Sequence, residues 1–169
     1  MTLSVPEPLA PHHELAEFDC GKPSLDTWLK TRARPNQEKG FTAIIVVHEA
    51  GRVVGYYGVA PTAVMPASMP RSVRTGQPPD PVPCLLLGQL ATDGAWAGRG
   101  IGTGLLKHAL NRCVDASRLI GGRALVVRAV DEEARAFWQR RGFLPSKDDR
   151  FVLFRSFQDI AASLVAAAR

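Results

Sequence analysis

Residues 84–110 read CLLLGQLATDGAWAGRGIGTGLLKHAL, and this stretch decides the fold. Residues 84–93 are an almost unbroken apolar run, which is typical of a β-strand covered on both faces. Glycines then occupy every second position from Gly98 to Gly104. Beyond them, apolar residues recur at intervals of three and four, as in an amphipathic helix: Leu105, Leu106, Ala109, Leu110, Cys113 and Val114. The stretch therefore predicts a strand, a glycine loop and a helix in succession.

The glycine loop between this strand and this helix predicts an anion site. The start of a helix leaves amide N–H groups unpaired and carries a partial positive charge, and glycines let an anion come close to those amides. A tight strand-to-helix turn without a ligand is the alternative. We expect a phosphate-bearing ligand, because four glycines accompany Arg99 in this loop.

Two familiar phosphate-binding patterns do not fit the loop. The dinucleotide fingerprint G-x-G-x-x-G fails, because its last position is Thr103 when counted from Gly98 and Leu105 when counted from Gly100. The nucleotide-binding pattern G-x-x-x-x-G-K followed by Ser or Thr is also missing from the sequence. NAD and nucleoside triphosphates are therefore disfavoured as ligands.

Hydrophobic periodicity and turn residues predict the remaining elements. Seven of the thirteen prolines lie within residues 61–83, so regular structure there should be short and broken. Pro35 should end or kink the first helix. The predicted elements are a helix over 24–34 capped by Ser24, an antiparallel hairpin over 41–60 turning at Ala50 and Gly51, a strand over 123–130, a helix over 131–143 closing at Gly142, a strand over 151–157 and a terminal helix over 158–169.

The order of these elements predicts an α/β fold with a mixed sheet and the strand, loop and helix unit at its centre. The chain has 169 residues, of which 46% are hydrophobic, enough for one sizeable core. We therefore expect a single domain over residues 1–169.

The charge balance favours polyanionic partners. Lysine and arginine total 21 against 16 acidic residues, which leaves a formal charge of +5. Such a balance attracts nucleic acid or phosphate-bearing cofactors over long range. A soluble protein that is merely basic fits the same numbers.

Cysteine and histidine usage predicts a reduced, metal-free, cytoplasmic protein. The three cysteines are far apart, and none has the spacing of a zinc site. His12 and His13 are expected to be a solvated pair in a loop. The N-terminus lacks the pattern of a signal peptide, and we find no apolar run long enough to cross a membrane.

With these features in place, the chain resembles the GNAT family of acyl-CoA-dependent N-acetyltransferases. The family's phosphate arm ends in a glycine pattern that Gly100-Ile101-Gly102 matches, with Ala97 where a polar residue is usual. Its later signature, N-x-x-A followed by Tyr-x-x-x-G-F, is matched by Asp131, Ala134, Trp138, Gly142 and Phe143. The resemblance covers nearly the whole chain and implies a sheet whose central strands splay apart.

Five segments narrow the resemblance to the TacT-type branch, the GNAT toxins of bacterial toxin-antitoxin modules. These segments are FDCGKPSLDTWL (18–29), ARPNQEKG (33–40), VVGYYGVA (53–60), PDPVPCLLLGQLATD (79–93) and DEEARAFWQRRGF (131–143). The resemblance implies acetylation of the α-amino group of aminoacyl-tRNA, inhibition of translation, and neutralisation by a ribbon-helix-helix antitoxin. It leaves open a small amine or a protein N-terminus as acceptor, and a homodimer remains possible.

The resemblance also implies where acetyl-CoA binds. The backbone of Leu90, Ala91 and Thr92 should bind the pantetheine arm. The pyrophosphate should lie on the glycine arm, which comprises Gly98, Arg99, Gly100, Ile101, Gly102, Thr103 and Gly104. Ala97 and Gln89 depart from the branch, where Gln and Arg are common, so one loop contact and one charge are missing.

Trp138 is the main departure from the family. A tyrosine at this position is the usual acid for the CoA thiolate, whereas an indole N–H donates a hydrogen bond but does not ionise usefully. Three outcomes follow: slow turnover by proximity, proton supply by Tyr56, Tyr57 or water, or a site that binds CoA with little chemistry. In the last case the chain would be a CoA-binding or antitoxin-binding module. Trp138 could also be only a core aromatic.

Basic residues could form a rim for the acceptor stem of tRNA. Charged helix faces are usually only solvated, so both readings stay open. The candidates are Arg32, Arg34, Lys39, Arg71, Arg74, Arg140 and Arg141.

Overall fold

A computed structural model describes residues 2–168. Its helices are α1 (Pro23–Thr31), α2 (Ala33–Glu38), α3 (Arg71–Arg74), α4 (Ile101–Ile120), α5 (Glu132–Arg140) and α6 (Phe157–Ala167). Its strands are β1 (Glu7–Pro8), β2 (Ala43–Glu49), β3 (Arg52–Val64), β4 (Val82–Thr92), β5 (Ala124–Arg128), β6 (Leu144–Pro145) and β7 (Val152–Ser156).

The seven strands form one sheet in the order β1-β2-β3-β4-β5-β7-β6. Strand β4 pairs with β5 in parallel, through Leu85, Leu86 and Leu87. Strand β2 runs antiparallel to β1 and β3, and β7 runs antiparallel to β5 and β6. The predicted mixed sheet is therefore confirmed.

The chain forms two compact units. The first comprises the chain up to Ala60 together with Gly88–Ala109, and the second comprises Pro61–Leu87 and the chain from Leu110 onward. The core of the first unit is formed by Leu9, Leu15, Phe18, Leu29, Ala33, Ile44, Val46, Val53, Tyr56 and Ala91. The core of the second is formed by Met69, Val73, Val82, Cys84, Ala124, Val126 and Phe154.

The predicted hairpin is confirmed as β2 and β3. Ala50 and Gly51 have φ of 49° and 89°, the pair of positive values that a two-residue hairpin turn requires. The register shifts between Val47 and His48, which marks a bulge near the end of β2. Strand β3 runs on to Val64, beyond the predicted end of the hairpin.

The first helix differs from the prediction at both ends. Its N-cap is Lys22, and Pro23 occupies its first turn, so Ser24 lies inside the helix and does not cap it. Proline is favoured there because it lacks the N–H that the first turn leaves unpaired and has a suitable φ. The helix ends at Thr31, and Pro35 lies within the short helix α2 that follows. The chain therefore breaks between two helices ahead of Pro35.

Other elements agree with the sequence pattern, with two short additions. Strands β4, β5 and β7 and helices α4, α5 and α6 form where they are predicted. The two-residue strands β1 and β6 are not predicted, because they are too short to show alternation. Between Val64 and Val82 only a 3₁₀ turn and α3 form, as the prolines indicate. None of the helices in residues 2–168 is long and apolar enough to cross a membrane.

Candidate functional site

Asp93 fixes the start of the glycine loop where β4 ends. Its buried carboxylate accepts hydrogen bonds from the backbone N–H groups of Ala95, at 2.9 Å, and Asp19, at 3.1 Å. The N–H of Gly94 donates in return to the carbonyl of Asp19, at 2.8 Å. Sequence reasoning missed Asp93, although an aspartate directly before a turn is a capping signal.

Gly98 and Gly100 give the loop its shape. Their φ values are +77° and +80°, in the left-handed region that glycine adopts without steric cost. A Cβ built on either residue has no neighbouring atom within 4 Å. The backbone there is bare on its outer side, and this is the geometry that the prediction of an anion site requires.

The other two glycines belong to helix α4. In an α-helix the first amides have no carbonyl four residues earlier within the helix, so those of Ile101, Gly102 and Thr103 are available to a ligand. A Cβ on Gly102 would lie 3.3 Å from the Oγ1 of Thr92, so this glycine allows the helix to start close to the end of β4. The N–H of Gly104 donates to the carbonyl of Gly100 at 2.9 Å.

Gly55 on β3 sets how closely α4 packs on the sheet. A Cβ at Gly55 would lie 2.8 Å from Cδ1 of Leu105 and 2.9 Å from Cγ2 of Ile101. Real Cβ atoms do not tolerate such distances, so only glycine allows this packing. Sequence reasoning missed this residue, although a glycine in a strand interior signals close approach by another element.

Arg99 is held at the surface of the loop by Trp96. The guanidinium carbon lies 4.5 Å from the centroid of the indole ring, and the indole itself is buried. Cation–π contact of this kind holds the exposed charge beside the loop amides. Ala97 is exposed, and as an alanine it offers the loop no polar side chain.

The predicted pantetheine residues lie at the end of β4. Leu90 and Thr92 are half-buried, whereas Ala91 belongs to the core of the first unit. The structure thus brings Leu90–Thr92, the glycine arm and the start of α4 together in that unit. Unpaired amides, left-handed glycines and a neighbouring guanidinium fit a pyrophosphate.

Trp138 lies in the second unit, on α5. Its side chain is buried and makes edge-on contacts with Phe137 and Phe143, with ring centroids 5.0 Å apart in each case. Such contacts are typical of core aromatic residues. These contacts account for the packing of the indole, and its catalytic role stays a prediction.

The other residues of the signature over 131–143 have structural roles at the two ends of α5. The carboxylate of Asp131 caps α5 by accepting from the N–H of Ala134 at 2.9 Å. Gly142 ends the helix with φ of +85°, and Phe143 is buried behind it. The signature therefore encodes a capped helix of fixed length.

The two tyrosines on β3 point to opposite faces, as alternation in a strand predicts. The hydroxyl of Tyr56 donates to the carbonyl of Leu25 at 2.7 Å, and burial raises the pKa of this phenol well above its ordinary value. The hydroxyl of Tyr57 lies 2.8 Å from Nδ1 of His108 on α4. Both side chains are buried, so Tyr56 in particular is poorly placed to release its proton.

The prediction of a solvated histidine pair is wrong for His13. His12 is exposed, but His13 is buried and its Nε2 lies 2.9 Å from a carboxylate oxygen of Glu7. This burial could not be predicted from sequence, because Glu7 and His48 reach the same point from β1 and β2.

Two members of the suggested basic rim are engaged within the protein. Arg34 donates to the carbonyls of Ala10, Pro11 and His13. Arg141 stacks on Phe137 at 3.5 Å from the ring centroid, and burial lowers the pKa of its guanidinium. Arg32, Lys39, Arg71 and Arg74 keep partly or fully exposed positions.

The cysteines are free thiols, as predicted. Burial raises the pKa of Cys84 to about 11 and that of Cys113 to about 12. Burial, together with Asp26, raises the pKa of Cys20 to about 11.

The fold and this loop are those of an acetyltransferase: residues 9–143 match the Acetyltransferase (GNAT) family, and the chain belongs to it. The prediction of an acetyl-CoA-dependent N-acetyltransferase is thereby confirmed.

Individual relatives are similar over almost their whole length. A tRNA-acetylating toxin from Mycobacterium tuberculosis is 40% identical over 159 residues, which cover 94% of this chain and 95% of the toxin. AtaT complexed with acetyl-methionyl-tRNAfMet is 27% identical with a TM-score of 0.86, covering 96% of this chain and 99% of that one. A Tyr-to-Phe mutant of the AtaT toxin, bound to the C-terminus of the antitoxin AtaR and acetyl-CoA, is 26% identical with a TM-score of 0.81, covering 98% and 99%.

Proposed function

We propose that this protein is a cytoplasmic toxin that acetylates the α-amino group of aminoacyl-tRNA and so inhibits translation. The observation that carries the proposal is the identity with the mycobacterial tRNA-acetylating toxin along nearly the whole of both chains. A net charge of +5 suits a nucleic-acid ligand. We propose further that an antitoxin of the ribbon-helix-helix class neutralises it, as AtaR accompanies AtaT.

The chain's own residues act mainly by binding and positioning. Acetyl-CoA, when bound, supplies the acetyl group as a thioester. The amides at the start of α4 and in the loop around Gly98 and Gly100 hold the pyrophosphate, and Arg99 adds a positive charge beside it. The backbone of Leu90–Thr92 orients the pantetheine arm, so that the acyl carbon meets the acceptor amine in a fixed geometry.

The reaction needs little acid or base catalysis from the protein. A free α-amino group has a pKa of about 8, so a useful fraction is neutral and nucleophilic near neutral pH. A thiol with an ordinary pKa of about 8.5 would be a fair leaving group as its thiolate, so the residues around the thioester would need to supply little acid. Trp138 in this scheme offers an indole N–H as a hydrogen-bond donor and no transferable proton. We therefore propose slow turnover that rests on proximity.

The test is incubation of the protein with labelled acetyl-CoA and bulk charged tRNA, followed by nuclease digestion. Label on N-acetyl-aminoacyl adenosine is the expected result. Label on a small amine or protein N-terminus, with none on tRNA, would identify a different acetyltransferase. No label on any acceptor would overturn the proposal.

The packing of Trp138 favours a second candidate function. A CoA-binding or antitoxin-binding module needs no acid at this position, and a buried indole between two phenylalanines suits a purely structural role. Such a protein would bind acetyl-CoA with ordinary affinity and transfer nothing. Equilibrium binding measured beside the tRNA assay separates the two functions.

A further inference from the structure

Glu7, His13 and His48 form a cluster in the first unit that lies outside the acetyl-CoA loop. Glu7 belongs to β1, His13 to the turn that follows, and His48 to the end of β2. The same carboxylate oxygen of Glu7 lies 2.9 Å from Nε2 of His13 and 2.7 Å from Nε2 of His48. One acceptor therefore joins three segments of the chain.

Hydrogen bonds at the opposite ring nitrogens define the proton positions. Nδ1 of His13 accepts from the N–H of Ala10 at 2.8 Å, and Nδ1 of His48 accepts from the N–H of Gly51 at 3.0 Å. A nitrogen that accepts a backbone N–H carries a lone pair, so a neutral ring carries its proton on Nε2. Both Nε2–H groups then donate to Glu7, and every polar atom of the two rings is used.

This arrangement disfavours a metal ion, although the residue types suggest one. With His12 included, the four side chains offer ligand atoms within 4.8 Å of one another. A histidine that binds metal through Nε2 usually keeps a proton on Nδ1 and donates it to an acceptor. Here Nδ1 of both His13 and His48 faces a backbone donor, so metal binding would break two backbone hydrogen bonds.

We propose that Glu7, His13 and His48 form a proton-controlled latch that holds β1 and the 10–13 turn against the β2–β3 hairpin and releases them in acid. A proton can be added only at Nδ1, where it would meet the N–H of Ala10 or Gly51. The His13 side chain is fully buried, and its ring lies 4.8 Å from that of His48 and 4.2 Å from that of His12. Protonation therefore breaks a hydrogen bond and adds charge inside a crowded group.

Charges of both signs surround the cluster. Arg34 of α2 donates to the carbonyl of His13, which places a further cation beside the cluster. Arg52 of β3 pairs with Glu17, and Glu49 follows His48 on β2. Among these carboxylates, Glu7 is the one that accepts from both imidazole N–H groups, whereas Glu17 pairs with Arg52.

The pH dependence has a defined sign. Burial, first of all, lowers the pKa of His13 below its ordinary value; the hydrogen bond to Glu7 opposes this shift, and the charges of His12 and His48 add to it. Hydrogen bonds from His13 and His48 lower the pKa of Glu7. Since both groups bind protons more readily when released, the closed state is favoured above about pH 6.5 and weakens as the pH falls toward the lowered pKa of His13.

Release would loosen a defined part of the first unit. Strand β1 pairs with β2 through Glu7 and Val46 and through Pro8 and Ile45. Leu9 and Leu15, on either side of the turn, are buried in the core of this unit. Acid should therefore expose this apolar edge before the rest of the fold is lost.

The latch can be tested by NMR on the intact protein. Ring ¹⁵N shifts at pH 7.5 should report the Nε2–H form of His13 and His48. Amide exchange at Ala10, corrected for the intrinsic rate, should lose protection by up to about tenfold per pH unit below pH 6.5. His13→Asn keeps an oxygen acceptor for Ala10 and removes the titrating ring, so the pH dependence at Ala10 should disappear. His12→Asn, at the exposed neighbour, is the matched control and should retain it.

Three results would overturn the proposal. The first is an Nδ1–H form of either ring at pH 7.5, which needs no variant to detect. The second is protection at Ala10 that does not change between pH 7.5 and 5.5. The third is loss of the Nε2 protons on addition of zinc chloride at pH 7.5, which would identify a metal site instead.

Discussion

The glycine loop of the first unit and helix α5 of the second are built in opposite ways. In the loop, a side chain added at Gly98 or Gly100 would meet no atom within 4 Å, so the backbone is open to a ligand. On α5, Trp138 is closed in by Phe137 and Phe143, and little of it reaches solvent. Binding and turnover should therefore respond separately to changes in the two regions, and the following variants test that separation.

The largest effect is expected from Gly100→Val. A β-branched residue at φ of +80° is strained, and its side chain would stand beside the amides that we propose bind the pyrophosphate. We expect the affinity for acetyl-CoA to fall about 100-fold, or about 2.7 kcal/mol, by isothermal titration calorimetry.

Gly121→Val is the matched control for this variant. Gly121 has φ of +87° and also has no neighbour within 4 Å of an added Cβ, but it lies at the other end of α4. It should cost similar stability and leave acetyl-CoA affinity unchanged. Equal losses of affinity in both variants would show that strain, and not the loop, is responsible.

Trp138→Tyr should raise turnover without changing binding. A phenol can give its proton to the departing thiolate, and a positioned acid commonly contributes about 100-fold or more. Because the pocket between Phe137 and Phe143 fits an indole, we expect a smaller gain in kcat, about tenfold, with the Kd for acetyl-CoA unchanged. Trp138→Phe controls for the change in packing. If Trp138→Tyr matches the wild type in kcat, this position does not limit proton supply.

Gly55→Ala should weaken both the fold and the loop, but moderately. Its methyl group would overlap the side chains of Leu105 and Ile101, so these side chains or the first turns of α4 must shift. We expect the free energy of unfolding to fall by about 2 kcal/mol and acetyl-CoA affinity to fall severalfold. Gly58→Ala is the control, since its nearest clash is with the flexible end of Gln89. An unchanged affinity in Gly55→Ala would mean that the loop is positioned independently of β3.

Arg99→Ala should have the smallest effect. It removes an exposed charge that lies beside the proposed anion site, and exposed ion pairs contribute about 0.2–1 kcal/mol. We expect a loss of acetyl-CoA affinity of about threefold to fivefold at low salt, shrinking as salt is added. Arg118→Ala removes an exposed charge at the far end of α4 and should change affinity little. An equal loss in both would point to net charge alone.

The sequence was most informative where local chemistry determines structure. The hairpin turn at Ala50 and Gly51 and the end of the helix at Gly142 were predicted from glycines, which adopt positive φ without steric cost. Alternation predicted the opposite faces of Tyr56 and Tyr57. The position of the glycine loop followed from glycines between a buried strand and an amphipathic helix.

Features that depend on distant residues could not be predicted in the same way. Gly55 matters because Leu105, fifty residues later, packs against it. His13 is buried because Glu7 and His48 meet it from two strands. Helix α1 begins earlier than predicted, with Lys22 and not Ser24 at its N-cap, because Pro23 is favoured in the first turn of a helix. Only the assembled fold shows these contacts.

The raised pKa values of the three thiols have a consequence for an enzyme that handles a thioester. With pKa values of about 11 for Cys20 and Cys84 and about 12 for Cys113, fewer than about one thiol in a thousand is a thiolate at pH 7.5. Since the thiolate is the nucleophile, these side chains attack an acyl donor very slowly. The protein should therefore resist self-acylation on sulfur, and a cysteine introduced at the exposed Leu119 should label selectively with maleimide.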